Sequence, residues 1–536
     1  MNHFLNKLRV LNKGELLGRF IFYIERKTNK YKRIVKKSRK QDCKIKNLVD
    51  LFQNENQLLF SNDPFSLEYC GEKLDIRSIS FCEDNKIWFK LKESSFAGDI
   101  RSYWESGRLQ NLSLLVSNYL LSKDQLIIKS INDYLDYWFE KNPIDYGWHH
   151  ISNLEIAIRF LTLYRIYYYV GDKLDIDLEK ILYSYGVHLF YDIHRTNRLI
   201  PNNHSLGEAV SLLLASKLFD NKKWEKYAKK TIRKRANLIT ESGEFIEESS
   251  GYHLFVLQMF LILISICDDF DDLLLNRINL SIKKLSSLCD NDKNIAKYGD
   301  CDDGLFFVID SIERNNLNAL KLNYLRAGQK LDIADNKAKN MFEPQKYLSF
   351  AENSDFKVAL IGGFDLKHAH VQSLSFLLWH KGEQVVSSSG SYFYNGPNEK
   401  TRIALASQKF SNAPSIENVQ RDNLITKFRH KKIIKSVSLQ SGDNFVSGTI
   451  KIGKTSITRK ITIKDDGIEI LDSSNKFLTG FRICSGDSKQ PLAIICLNEK
   501  IEAEKDSFSP AYGKITKANY YPSSFSTHLS IVNIKI

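Results

Sequence analysis

Proline is scarce in this chain, at 9 in 536 residues, and 26 glycines are few for the length. That excludes a collagen-like repeat and argues against low-complexity linkers. Long apolar runs are also missing. The stretches Phe20–Ile24 and Leu261–Ile264 stop far short of the roughly 18 apolar residues of a membrane span. No CxxC pair occurs among Cys43, Cys70, Cys82, Cys267, Cys289, Cys301, Cys484 and Cys496, so no zinc knuckle or dithiol redox motif is visible. Their scatter favours free thiols in a reducing compartment. Residues 1–40 lack the apolar core and small-residue cleavage site of a signal peptide. The expected location is therefore cytoplasmic, with the periplasm as the alternative.

What is present is ordinary for a folded protein: 43% hydrophobic and 26% charged residues, enough length for two to four domains. Aromatics are plentiful, with 25 Tyr and 32 Phe, which suits stacking on sugar rings as well as core filling. The net charge of +14 is concentrated. Residues 26–46 hold eleven Lys/Arg against Asp42 alone, contributing +10 and leaving +4 for the rest. Such a run suits a solvated basic helix, an anionic membrane surface, an acidic polysaccharide or nucleic acid. A basic run alone is a weak nucleic-acid motif. The expectation is no nucleic acid, with peripheral membrane contact through residues 26–46 kept open.

The hydrophobic period divides the chain. From about Asn111 to Leu325 it is helical, as in Leu154, Ile158, Leu161 and Tyr164. From about Lys346 it becomes two, in runs such as Ile457, Ile461, Ile463, Ile468 and Ile470. Those runs break at Asp443-Asn444, Gly453 and Asp465-Asp466-Gly467. The expected domains are a mixed basic segment over 1–90, a helical domain over 91–330 and an antiparallel β-sandwich over 346–536. The polar stretch Ala327–Gln345 reads as the join.

Four clusters carry chemistry. In Asp99–Arg108, the residues Arg101, Glu105 and Arg108 are spaced for one helix face beside Trp104. They suit a carboxylate or sulfate and a stacked sugar, or equally a salt-bridged surface. In Pro201–Glu208, Asn and Ser are good caps, while His204 and Glu208 are i, i+4 neighbours. In Glu247–His253, acids and Ser open another apolar helix, but capping does not explain Tyr252 and His253. Further on, Tyr298–Gly304 reads as a turn with a carboxylate cluster, lacking the spacing of a calcium-binding EF-hand. In His368–Phe376, His368 and His370 would share one face of a strand.

Together these clusters resemble the heparinase II/III family of polysaccharide lyases. The segments DxRxxWExxR from Asp99, NNHxxxE from Asn202, ExSxxYH from Glu247, GDxDDG from Gly299 and HxHxxxLSF from His368 stand in the family's order. So do Tyr394-Asn-Gly, Arg402, Asn412 and Ser509-Pro-Ala-Tyr512-Gly513. The resemblance implies an α+β multidomain fold, an incomplete α/α toroid followed by an antiparallel β-sandwich. It also implies β-elimination on a uronic-acid-containing acidic polysaccharide, glycosaminoglycan-like or a bacterial surface polymer. The alternative is a non-catalytic polysaccharide-binding or assembly protein that keeps the fold.

The same resemblance assigns catalytic roles to Asn203, His204, Tyr252 and His368, with Asn203 neutralising the uronate carboxylate. Arg101, Trp104, Arg108, Glu208 and Glu247 are the expected substrate contacts. Many relatives bind a metal through the second His of HxH, an Asp and another His. Here His370 is kept, but the other two positions fall on Ser388 and Ser411. No metal and no other cofactor is expected.

Overall fold

The computed structural model describes residues 43–60, 65–69, 72–75, 86–267, 272–331, 346–366, 368, 370–395, 399–422, 424–426, 428–490, 492–496, 499–512 and 514–536, with scattered positions between 17 and 36. Most of the basic run 26–46, with Cys70, Cys82 and Gly513, therefore lies outside the described residues.

The first half is helical. In chain order its helices are α1 Ile100–Ser106, α2 Gln110–Ser122, α3 Gln125–Lys141, α4 Asn153–Val170, α5 Leu178–Leu199, α6 Asn203–Leu218, α7 Lys222–Arg235, α8 Ser250–Ile266 and α9 Asp272–Ser286. They build an incomplete α/α toroid. Helix α6 is its hub, packing on α4, α5, α7 and α8. Both α6 and α8 are buried almost all round, so their sequences are apolar on every face. Asn202 caps α6, its side chain accepting from the His204 N–H, and Ser249 caps α8 by accepting from the Tyr252 N–H. The helical pattern read as far as Leu325 ends sooner than expected. From Leu288 to Leu331 there are only short 3₁₀ turns and irregular chain, held by side chains such as Gln258, which bonds Phe306 N–H and Phe307 C=O.

The second half is an antiparallel sandwich. A short hairpin pairs β1 Ser66–Tyr69 with β2 Glu72–Asp75 in the N-terminal region. One sheet of the sandwich is β3 Leu348–Glu352, β4 Phe356–Ile361, β5 Phe376–His380 and β6 Glu383–Val386. Short strands follow, β7 Ser415–Ile416, β8 Leu424–Thr426 and β9 Arg429–His430, and the larger sheet centres on β10 Ile434–Ser441, β11 Phe445–Ile452, β12 Thr455–Lys464, β13 Gly467–Cys484 and β17 Thr516–Lys535, hydrogen-bonded in that order. Strands β14 Ala493–Cys496 and β16 Glu504–Phe508 pair with β17, and β15 Glu499–Ile501 pairs with β14. The turns between β10, β11, β12 and β13 fall where Asp443-Asn444, Gly453 and Asp465-Asp466 interrupt the alternation. Val358, Leu360 and Leu378 from the first sheet meet Val446, Ile450, Ile461 and Ile470 from the second in one core.

One inward position is charged. Arg459 faces Asp472 across β12 and β13 and donates both ends of its guanidinium to that carboxylate at 2.7 Å. Its remaining N–H groups go to the carbonyls of Leu374 and Asn412, so this buried cation is satisfied. No helix among the described residues is long and apolar enough to cross a membrane. The six described cysteines are all unpaired thiols.

Candidate active site

The starts of the two most buried helices point toward the seam with the sandwich. Asn203 and His204 open α6, and Tyr252 lies in the first turn of α8. Asn203 is buried, and neither its amide oxygen nor its nitrogen has a partner. An amide left unsatisfied in a protein interior is costly. His204 is half-buried and feels the charges of His368, Glu155 and Asp302. Burial is the main reason its ring is pushed down to about 4, so it is neutral at pH 7. Burial likewise holds the Tyr252 phenol well above its ordinary value, with Asp302 adding to the rise.

His368 arrives from the other domain. Its ring lies 4.1 Å from that of Tyr252, tilted by 32°. The Tyr252 hydroxyl donates to the Tyr394 hydroxyl at 3.4 Å. The expectation of a strand at His368 and His370 is corrected here. His368 has φ of 48° and sits in the connection between β4 and β5. Such a conformation cannot continue a ladder. The bend lets the backbone join the toroid: Asp300 N–H donates to the His368 carbonyl at 2.6 Å. Gln372 completes the seam, accepting from Gly299 N–H at 2.9 Å and donating to the Glu248 carbonyl at 3.0 Å. Gly299 has φ of 68°, and a Cβ there would lie 2.2 Å from the Glu248 carbonyl oxygen and 2.8 Å from that of His368. Only glycine fits this crossing. Glu248 in turn accepts from Phe364 N–H; burial, then Asp365, pushes its carboxyl up to about 8.

The acidic turn is no calcium loop, because cations from the protein already hold each carboxylate. Asp300 accepts from Arg402 at 2.6 Å, Asp302 from Arg101 at 2.6 Å and Asp303 from Lys297 at 2.9 Å. Asp300 is fully buried; although burial opposes it, Arg402 and the two histidines hold it well below the usual carboxylate range. The Arg402 guanidinium also lies over the rings of Phe428 at 4.8 Å and Tyr394 at 5.1 Å.

Most of the expected substrate contacts turn inward. Helix α1 ends at Ser106, before Arg108, so the three charges do not form an exposed helical face. Glu105 takes Arg101, Arg108 and Arg314, and Arg108 is bidentate to Glu155 at 2.7 and 2.9 Å. Trp104 is buried and its indole N–H donates to the Trp148 carbonyl. Glu208 is buried and accepts from Asn153 at 3.0 Å. Glu247 is buried in the loop between Arg235 and Tyr252. The expected contact role for Trp104, Arg108 and Glu208 is therefore corrected to one of support. Arg101 is buried and paired with Glu105 and Asp302, and Glu247 is buried as well. His253 is structural too, with Nε2 at 2.5 Å from Ser281 and its ring stacked on Phe245. The sequence reading missed Gln372 and Arg235. No local signal marks the glutamine, but the basic density of α7 was available.

His370, Ser388 and Ser411 line one small cavity with room for about one water. The set does not fit a tight divalent site, which needs three or four nitrogen, sulfur or carboxylate ligands. Ser388 donates to the Lys297 carbonyl, and the Ser411 hydroxyl accepts from Ala413 N–H. Asp300, 3.4 Å from His370 Nε2, is already committed to Arg402. Among the described residues no group of three His, Cys, Asp or Glu could hold a metal ion.

With this geometry in place, comparison with known proteins is informative. The sequence profile of Heparinase II/III-like, C-terminal matches residues 356–476, from the start of β4 into β13. That segment is similar to the family's C-terminal domain. The fold of the chain extends that likeness over the whole length. A heparinase III, the BT4657 gene product, superposes with a TM-score of 0.57 at 15% identity, covering 98% of this chain and 91% of that one. A second heparinase III structure gives 0.62 at 12% identity, over 99% and 93%. A mutant heparan sulfate lyase HepC from Pedobacter heparinus gives 0.50 at 14% identity, over 94% and 87%. No curated protein matches the chain in sequence.

Two predictions follow from the buried groups. Burial, then Asp192, raises the Glu208 carboxyl to about 8. Between pH 4.5 and 8 the unfolded state then binds fewer protons there than the folded one, so stability falls as pH rises, by up to about 1.4 kcal/mol per unit for this group. Glu208→Gln should flatten that slope in thermal melts and raise the melting temperature at pH 8 but not at pH 4.5. For the metal, elemental analysis of purified protein should find no stoichiometric zinc or manganese, and chelator should leave activity unchanged.

Proposed function

We propose that the chain is a polysaccharide lyase that cleaves an acidic, uronate-containing polysaccharide by β-elimination. The observation that carries this reading is the approach of Tyr252 from the toroid to His368 from the sandwich, ring centres 4.1 Å apart, with the unpartnered amide of Asn203 at the start of the neighbouring helix. A saccharide in the seam would meet all three.

The difficulty in the reaction is the C5 proton, which is only weakly acidic next to a charged carboxylate. The Asn203 amide donates to that carboxylate and spreads the charge that builds up as the proton leaves. His204, neutral at pH 7, has a lone pair to take the proton. The C5–H electrons form the C4=C5 double bond, and the C4–O bond breaks. Tyr252 keeps its phenol proton at neutral pH and delivers it to the leaving oxygen. The products are an unsaturated uronate end and a new hydroxyl end; solvent returns the proton from His204 to Tyr252. His368, packed against the Tyr252 ring, holds that ring and faces the same sugar.

Incubation with hyaluronan, chondroitin, heparan or alginate-type polymers should raise the ultraviolet absorbance of a conjugated uronate. Folded protein that raises it with none of them would rule the reading out, and binding without turnover would favour the non-catalytic alternative. Tyr252→Phe should lower kcat by about 10²–10⁴-fold, and Asn203→Ala by about 10²–10³-fold, with the melting temperature as a fold control. Because His204 must be unprotonated, kcat/KM should rise with pH through about 4 rather than through the usual imidazole range. An acid limb near pH 6.5, absent in a His204 variant, would reverse this assignment of the base.

A further inference from the structure

Helix α7, Lys222–Arg235, carries eight Lys/Arg and a single acid, Glu225. Glu225 is spent at the start of the helix, where Lys217, Lys222 and Lys229 converge on it. The second half has no such partner. Lys226, Lys230 and Lys234, at i, i+4 and i+8, form one exposed stripe about 12 Å long, flanked by exposed Arg233. None of these four is in an ion pair among the described residues.

The stripe ends at Arg235, which is only half exposed. Its Nε donates to Ser205 Oγ at 2.7 Å and Nη2 reaches Asn197 Oδ1 at 3.4 Å. Among the described residues, no carboxylate lies within ion-pair distance of it and no protein group takes Nη1. Glu247 contributes charge from further away. Ser205 is two residues past Asn203, so Arg235 rests against the first turn of the helix that carries Asn203 and His204. A half-buried guanidinium loses hydration, and proteins normally return it as a carboxylate or backbone partner, as they do for Arg108, Arg402 and Arg459. Arg235 is the exception, and it borders the site.

We propose that Arg235 anchors an anionic group, carboxylate or sulfate, of a saccharide unit next to the one cleaved, and that the stripe on α7 steers the polyanion to it. The fork of N–H groups left by Ser205 and Asn197 matches two oxygens of such a group. The exposed lysines act at longer range and through ionic strength. The place of the cleaved unit rests on the lyase reading; the binding of the anion does not.

The test uses the full chain in the Tyr252→Phe background, with hyaluronan as the unsulfated probe and heparan sulfate as the sulfated one. Dissociation constants are measured by calorimetry at low salt. Arg235→Ala should weaken binding about tenfold or more, and Arg235→Lys less. With Tyr252 restored, KM should rise by the same factor while kcat stays within about twofold. Replacing Lys226, Lys230 and Lys234 together should reduce the salt dependence of binding. An equal loss on both polymers identifies a carboxylate; a loss on heparan sulfate alone identifies a sulfate. Should Arg235→Ala fail to fold, Arg235→Gln and Arg235→Lys carry the same comparison. Binding without cleavage by the protein with Tyr252 would retire the lyase reading and leave Arg235 in place. Unchanged binding of both polymers by the Arg235 variants, or no binding even with Arg235 present, overturns the assignment whatever the cleavage assay shows.

Discussion

The geometry of the site depends on one strip of backbone contact between the two halves. Tyr252, Asn203 and His204 belong to the toroid, and His368 to the sandwich. What sets the distance between them is the crossing of Gly299-Asp300 with His368 and Gln372. Hydrogen bonds there run from Asp300 N–H to the His368 carbonyl and through the Gln372 amide to both Gly299 and Glu248. The crossing is close because Gly299 has no Cβ, and rigid because buried backbone groups lose more when unpaired than a flexible side chain does. Two separately packed cores thus bring the rings of Tyr252 and His368 to within 4.1 Å, centre to centre.

Around that strip the electrostatics are divided. Four carboxylates near the seam are each matched by a cation: Asp300 by Arg402, Asp302 by Arg101, Asp303 by Lys297, and Glu105 by three arginines. Glu248 is held by backbone N–H groups instead, while His204 is neutral and Tyr252 protonated. Among the described residues, a run of exposed cations without ion pairs lies along α7. That arrangement suits a polyanionic ligand: attraction at the rim, and a dry centre in which a few donors act strongly.

Much of the fold was legible from local chemistry. Period-two runs with Asp-Asn, Gly and Asp-Asp-Gly breaks give β10 through β13 almost residue by residue, because strand alternation and turn residues are local properties. Asn202 and Ser249 announce the helices that carry the site for the same reason, since a cap acts within three residues. The HxH segment misled: alternation suggested a strand, whereas His368 takes a left-handed turn whose hydrogen bonds lie on the other domain. The three charges spaced from Arg101 to Arg108 misled as well. Their helix stops after Ser106, and what draws them together is Glu105 with Glu155, 47 residues beyond Arg108.

By itself the sequence determined the two-part architecture, the helix starts and the order of the polar motifs, all of which follow from spacing along the chain. Only the tertiary structure decided which polar residues face a ligand and which face each other. Arg108 and Arg235 are the same residue type at the end of short basic patterns, yet one is neutralised inside the protein and the other stands without an acid beside Asn203. The difference is set by partners distant in sequence, and desolvation is felt only once those partners, or none, have been brought to the same place.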